Sequence, residues 1–142
     1  MKIASFNING IKARVEALQE WLKEAEPDVA ILQEIKSVDE NFPRDLFEDI
    51  GYNVETHGQK SFNGVALLSK LPLEDVSRGL PGATGAGRDG EDDIEARYIE
   101  ATVVGDTQAI RICGLYLPNG NPVDLTPEGT PVPGSKYDFK LK

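Results

Sequence analysis

Two short runs constrain this chain more than any other feature: Val29-Ala30-Ile31-Leu32 and Val65-Ala66-Leu67-Leu68. A strand with one face in water alternates apolar and polar residues. These runs are apolar at every position, so each must be covered on both sides. The first run completes a strand–helix–strand unit. Residues 2–7 alternate, with Ile3, Phe6 and Asn7 among them, and then Val15, Leu18, Trp21, Leu22 and Ala25 recur at three- and four-residue steps. That spacing predicts one apolar face of a helix over about residues 12–25, ended by Pro27. A short helical crossover makes the flanking strands, residues 2–7 and 29–34, parallel neighbours. The fold class is therefore α/β.

Further along, Leu46, Phe47 and Ile50 share one side of a short helix from Arg44 to Ile50, closed by Gly51. Tyr52 to His57 and Gly64 to Ser69 read as two strands of a hairpin, and Leu71 to Ser77 as a weaker strand. Glu95 to Val104 and Ala109 to Leu117 form a strong pair turned at Gly105-Asp106. Between them, residues 79–93 are glycine-rich and acidic, which suits a surface loop. Residues 118–135 carry five prolines and read as an irregular connection, and Lys136 to Lys142 begins what could be a helix. One good helix and one short one cover a single face of the sheet. The expectation is one mixed sheet with helices on one face, its other face awaiting a partner chain or further sequence.

At 142 residues the chain suits one ordinary domain. It has 39% hydrophobic and 27% charged residues, in keeping with a globular protein. No apolar run approaches the roughly 18–20 residues of a membrane span, and Ser5, Asn7 and Asn9 interrupt the only stretch that resembles a secretory signal. A single cysteine, Cys113, suits a reducing cytoplasm and is expected to be a small core residue. The net charge of −9 and pI near 4.6 argue against a surface that binds nucleic acid all over. The charge is uneven, however. Asp89, Glu91, Asp92, Asp93 and Glu95 cluster in one loop without EF-hand spacing, while Lys12, Arg14 and Lys36 lie beside two strand ends.

Those strand ends hold the candidate chemistry. Asn7 closes the first strand and Glu34 the second, so an amide and a carboxylate meet at the C-terminal edge of a sheet, where open α/β sheets bind ligands. Mg²⁺ takes one or two carboxylates and keeps several waters, so such a pair can form a site shared with a substrate phosphate, with Lys36 close by. Spacing alone favours the plainer reading, a turn residue and a solvated strand end. Tyr116 can donate a hydrogen bond to a phosphate oxygen, and Asn119 follows in a Pro-Asn-Gly turn. Here too ordinary packing and turn chemistry are the plainer account. Phe62 either touches a base or sugar or anchors its loop inward. His57, the only histidine, reads as structural or solvated.

The ordered motifs change that balance. Ser5-Phe6-Asn7-Ile8-Asn9-Gly10-Ile11-Lys12-Ala13-Arg14, Pro27-Asp28-Val29, Leu32-Gln33-Glu34 and Lys36 resemble the opening of the exonuclease III family of apurinic/apyrimidinic endonucleases. Gly51-Tyr52-Asn53-Val54, His57-Gly58-Gln59-Lys60, Gly64 to Ser69, Arg97 and Tyr116-Leu117-Pro118-Asn119-Gly120 continue the likeness in order. The resemblance implies a four-layer α/β sandwich (DNase I-like), of which residues 1–142 are the N-terminal portion of a single domain. It also implies Mg²⁺-dependent hydrolysis (Mn²⁺ as a substitute) of phosphodiesters in double-stranded DNA at abasic sites and 3′ ends, by a cytoplasmic and usually monomeric enzyme. Carried over by motif, Asn7 and Glu34 hold the metal, Asn7 helps position the attacking group, and Tyr116 contacts the scissile phosphate. Asn9 and Lys36 support the metal site. Lys12, Ala13, Phe62, Arg97 and Asn119 match DNA contacts.

The sequence departs from the pattern after Tyr116, where neither a Gly-Asp-x-Asn motif nor an Asp-His pair follows. The water-handling aspartate and the histidine over the phosphate are missing, and by the resemblance the second sheet is expected from sequence beyond this chain. An isolated chain of this kind is expected to be nearly inactive, since metal, water-orienting group and charge stabiliser act together. Two other readings share these residues: a non-catalytic truncated module, and a phosphatase or phospholipase of the same superfamily.

Overall fold

The structure is a computed structural model that describes residues 1–80 and 95–118. Met1–Gly79 and Glu95–Tyr116 form one compact unit, which carries every element below; Leu80–Ile94 and Leu117–Lys142 fall in a second. Most of the expected acidic loop at 79–93, the Pro-rich connection after residue 118, the terminal helix at 136–142 and Asn119 lie outside the described residues.

The strand–helix–strand unit forms as the periodicity requires. β1 (Ile3–Asn7) runs into a single 3-10 turn (Lys12–Arg14) and then α1 (Val15–Ala25). The helix buries Leu18 and Leu22, while Trp21 meets Phe6 edge-on at 5.3 Å between ring centroids. Pro27 disfavours helical backbone at the residue before it. Glu26 accordingly turns left-handed and caps the helix by donating its N–H to the Leu22 carbonyl at 3.0 Å. β2 (Val29–Gln33) then pairs with β1 in parallel, Ile3 opposite Val29 and Asn7 opposite Gln33.

A short helix, α2 (Arg44–Glu48), leads to β3 (Asn53–His57), which pairs antiparallel with β4 (Val65–Ser69); β4 in turn pairs antiparallel with β2. The order is β1-β2-β4-β3, a mixed sheet with both helices on one face. Ala30, Leu32, Ala66, Leu68 and Val54 meet Leu18, Leu22, Phe42 and Phe47 there. The fold class read from the sequence is borne out.

The other face is not left bare. β5 (Leu73–Arg78), β6 (Tyr98–Val104) and β7 (Ala109–Leu115) form a separate antiparallel sheet in the order β5-β6-β7. Val29, Ile31, Val65 and Leu67 of the first sheet pack against Ile99, Ala101, Val103 and Ile112 of the second. This corrects the expectation that a partner chain or later sequence supplies all of that cover. The strong pair read from the sequence was a hairpin with an apolar stripe, and that stripe is the surface that the continuous apolar runs required. Gly114 lets the sheets approach closely, because a Cβ there would stand 2.9 Å from Ile31 Cγ2.

The cover has a boundary. β5 lies over β3, β6 over β4, and β7 over β4 and β2, while Ile3, Ser5 and Asn7 on the same face of β1 remain exposed. Cys113 is a second correction. Ile112 and Gly114 face inward, so alternation puts Cys113 outward, and it is exposed.

Leu67→Ala removes a fully buried side chain from between the sheets and is expected to cost about 2–5 kcal/mol in urea unfolding. Cys113→Ser should change stability by less than about 0.5 kcal/mol. A thiol reagent should label Cys113 in the folded chain without denaturant; labelling only after unfolding would contradict the strand register.

Candidate active site

β1 and β2 end at the same edge of the sheet, and β4 begins there, since Gln33 pairs with both Asn7 and Val65. Three loops, residues 8–14, 34–38 and 58–64, therefore gather at one end of the unit. Their backbones continue the strand pairing. Ile8 N–H donates to the Gln33 carbonyl at 2.9 Å, Gly10 N–H to Glu34 at 2.8 Å, and Ile11 N–H to Ile35 at 3.0 Å. Across the other side, Ile35 N–H donates to Gly64 at 3.2 Å and Lys36 N–H to Asn63 at 3.0 Å.

These loops adopt backbone that most residues avoid. Asn9, Glu34, Lys36, Ser61 and Asn63 all have positive φ, as do Gly10 and Gly64. Such conformations persist only where their surroundings enforce them, and they concentrate at functional sites. At Gly64 the enforcement is visible. With φ at +92°, a Cβ there would lie 2.4 Å from Ile35 Cγ1, so the loop rests flat on the buried residue between Glu34 and Lys36.

Side chains converge on the same place. Tyr116 lies just past the end of β7, 82 residues from Glu34 in sequence, and its hydroxyl donates to Glu34 Oε1 at 2.5 Å. Lys36 Nζ donates to Asn9 Oδ1 at 2.6 Å and stands 3.9 Å from Glu34 Oε2. Asn9 N–H donates to Asn7 Oδ1 at 2.9 Å, closing a small turn that orients the Asn7 carbonyl oxygen. Arg14 Nη1 donates to the Asn9 carbonyl at 2.7 Å. Glu34, Tyr116, Lys36, Asn9 and Asn7 thus form one connected group.

The remaining candidates surround it. Lys12 and Ala13 are exposed on the 3-10 turn. Phe62 is 70% exposed, which excludes the inward anchor as its role. Arg97 is mostly buried, ion-paired with Glu95, and its carbonyl accepts the Tyr116 N–H at 2.8 Å. His57 is half-buried, and that burial pushes its imidazole below the ordinary value despite nearby Asp39. Sequence reasoning quoted Gln59 and Gly64 only as parts of a motif. Their structural work became visible once the loop was seen folded against Ile35 and Ala96.

The group's chemistry is that of hard oxygens beside an ammonium and a phenol. Burial, and then the hydrogen bond to Glu34, push the Tyr116 hydroxyl up to about 12, so it is a hydrogen-bond donor at neutral pH. Among the described residues no cluster of three or more His, Cys, Asp or Glu side chains could cage a metal. The Asn7 carbonyl and the Glu34 carboxylate instead suit a hard divalent cation that keeps most of its waters.

A profile of the Endonuclease/Exonuclease/phosphatase family matches residues 4–132, and the chain belongs to that family. Within it, the chain is 41% identical over 120 residues to Exodeoxyribonuclease III of Haemophilus influenzae, covering 84% of this chain and 42% of that protein. Two solved structures resemble it over 99% of its length and 47% of theirs. One is a 3′ phosphatase, NExo, from Neisseria bound to product DNA hairpin (TM-score 0.79, 32% identity), and the other an AP endonuclease from Archaeoglobus fulgidus (TM-score 0.75, 35% identity). The chain spans about half the length of these relatives or less.

The Tyr116 contact gives a pH signature. Its pKa is raised on folding, so the neutral phenol stabilises the fold fully below pH 10, and this contribution is lost as pH rises through about 12. Tyr116→Phe should remove one late-titrating tyrosine from a Cζ NMR titration and reduce the fall in stability across that window. An unchanged titration in the variant would contradict the contact.

Proposed function

We propose that this chain carries the first wall of an exonuclease III-type active centre, which hydrolyses phosphoester bonds of duplex DNA at abasic sites and 3′ ends. The observation that carries the reading is the Tyr116 hydroxyl on the Glu34 carboxylate at 2.5 Å, with the Lys36–Asn9–Asn7 chain beside it. It joins residues from both sheets into one polar cluster at the end of the unit where Lys12, Arg14 and Lys60 lie exposed in the neighbouring loops. Support also comes from relatives named as an exodeoxyribonuclease, an AP endonuclease and a 3′ phosphatase, the last bound to DNA.

In this reading Glu34 and Asn7 hold Mg²⁺, for which Mn²⁺ can substitute. The bound cation supplies Lewis-acid stabilisation of charge on the phosphate oxygens. Lys36 steers Glu34 by charge and fixes Asn9, which in turn fixes the Asn7 carbonyl. The Tyr116 hydroxyl, a donor throughout the neutral range, turns from Glu34 to a non-bridging phosphate oxygen. Lys12 supplies positive charge toward the backbone, Ala13 and Phe62 line the approach, and Arg97, paired with Glu95, and Asn119, outside the described residues, are further DNA contacts by the family likeness. These contacts position the duplex without reading its bases.

The same reading makes residues 1–142 the N-terminal portion of a single domain. They hold no Gly-Asp-x-Asn motif and no Asp-His pair, so this stretch lacks a water-orienting carboxylate and a second charge stabiliser. The 142-residue chain with Mg²⁺ is expected to incise an abasic duplex at less than about a thousandth of the rate of the Haemophilus relative. Incision at a comparable rate would overturn the division of labour. Metal binding is tested separately by the Mn²⁺ electron paramagnetic resonance signal. Glu34→Gln should weaken binding by more than about tenfold, and equal affinity in the variant would remove Glu34 from the site.

A further inference from the structure

We propose that Gln59 is a positioning residue for this site, and that it works through its side-chain carbonyl rather than through packing. Gln59 Oε1 accepts the Ala96 N–H at 2.7 Å and the Asn63 side-chain amide at 3.2 Å. Ala96 is 1% exposed, so no water can replace that acceptor. Because a backbone N–H can only donate, the atom facing it must be the amide oxygen.

The two groups Gln59 holds belong to the two walls of the site. Asn63 gives its carbonyl to Lys36 N–H at 3.0 Å, and neighbouring Gly64 gives its carbonyl to Ile35 N–H at 3.2 Å and its N–H to the Ala96 carbonyl at 2.7 Å. On the far side, the Arg97 carbonyl accepts Tyr116 N–H at 2.8 Å, and the Tyr116 hydroxyl returns to Glu34 at 2.5 Å. The circuit starts at Glu34 and ends on Glu34. Gln59 braces it at the site end of the unit, where the loop of residues 58–64 meets the segment 95–97. If the acceptor is lost, the Arg97 and Tyr116 wall keeps the Gly64–Ala96 bond and the inter-sheet core but loosens relative to Glu34, while Asn7 and the Gly10–Glu34 contact stay in place.

The proposal deepens the metal-site reading and rests on it, so the test separates the two. Amide NMR of the full chain would follow hydrogen exchange at Ala96 and paramagnetic broadening by added Mn²⁺. Gln59→Met keeps the length and apolar bulk but offers only a weak acceptor, whereas Gln59→Glu keeps a strong one. We expect Gln59→Met to speed Ala96 exchange by at least about tenfold and Gln59→Glu to stay within about twofold of wild type. Mn²⁺ broadening at Gly10 and Ile35 should persist in all three proteins. At Arg97 and Tyr116 it should weaken in Gln59→Met alone.

Unchanged Ala96 exchange in Gln59→Met, or equal loosening in both variants, overturns the proposal and returns Gln59 to a packing role. Absence of site-specific broadening in the wild type sinks the metal reading instead, and Ala96 exchange then still decides the part played by Gln59. If Gln59→Met loses its native spectrum, Gln59→Glu decides the matter. A native spectrum with Ala96 protected supports the acceptor role, and loss of both overturns it.

Discussion

The packing of two unlike sheets against each other is the constraint on which the rest of the unit depends. Val29, Ile31, Val65 and Leu67 find their buried apolar partners in the stripe Ile99, Ala101, Val103 and Ile112, with Leu71, Leu73, Val76 and Ile110 packed at its margins. This contact fixes how far β7 slides along β2, and so fixes where Tyr116 arrives. A shift of one residue in β7 would exchange Ile112 and Gly114 for Cys113 and Leu115 at the interface. It would also carry the phenol away from Glu34. Apolar packing and the polar site are therefore two results of one register.

At the site end, the sheet delivers backbone in pairs and the loops then bend it into left-handed turns. The cost of positive φ at Glu34 and Lys36 is balanced by closely spaced backbone hydrogen bonds from Gly10, Gly64 and Asn63. Two long side chains, Lys36 and Arg14, complete this arrangement by holding Asn9. Asn7, Asn9, Glu34 and Tyr116 are each held by specific hydrogen bonds, Asn9 by three. An acidic chain can in this way present cations locally. Lys12, Arg14, Lys36 and Lys60 sit in the loops at this edge, while the net charge of −9 reflects the molecule as a whole.

Much of this was legible in the sequence, and the reasons are physical. Apolar residues on both faces of Val29–Leu32 demanded two covering layers, and the three- and four-residue steps from Val15 to Ala25 identified one of them. The identity of the second layer was not legible. Period-two alternation from Tyr98 to Val104 says that one face is buried but not against what. Cys113 was misplaced for a related reason, because an apolar-looking run hides which of its two faces turns inward. Asn7 and Glu34 could be brought to one edge by strand pairing alone. Tyr116 could not, since its distance from Glu34 is set by the packing of one sheet on another across 82 residues of chain. The roles carried over by family likeness supplied what spacing could not, and they remain readings of the site. The acceptor work of Gln59 carries no sequence signal beyond its place before Asn63 and Gly64.

The division of the core between two sheets also bears on how the chain is made. During synthesis β1 to β4 leave the ribosome first, and they hold everything needed to close the helical side. Their second face is covered in full only once β6 and β7 have emerged, because among the described residues before Ile99 the partly buried Leu71, Leu73 and Val76 alone join that core from the other side. Domains tend to fold as units, N-terminal parts appearing first, and exposed apolar surface in the interval invites association. Over that interval the nascent chain is a one-sided sheet that already displays Asn7 and Glu34 but still lacks Tyr116. Any holding factor that meets this chain early would therefore meet a greasy plane rather than an assembled site.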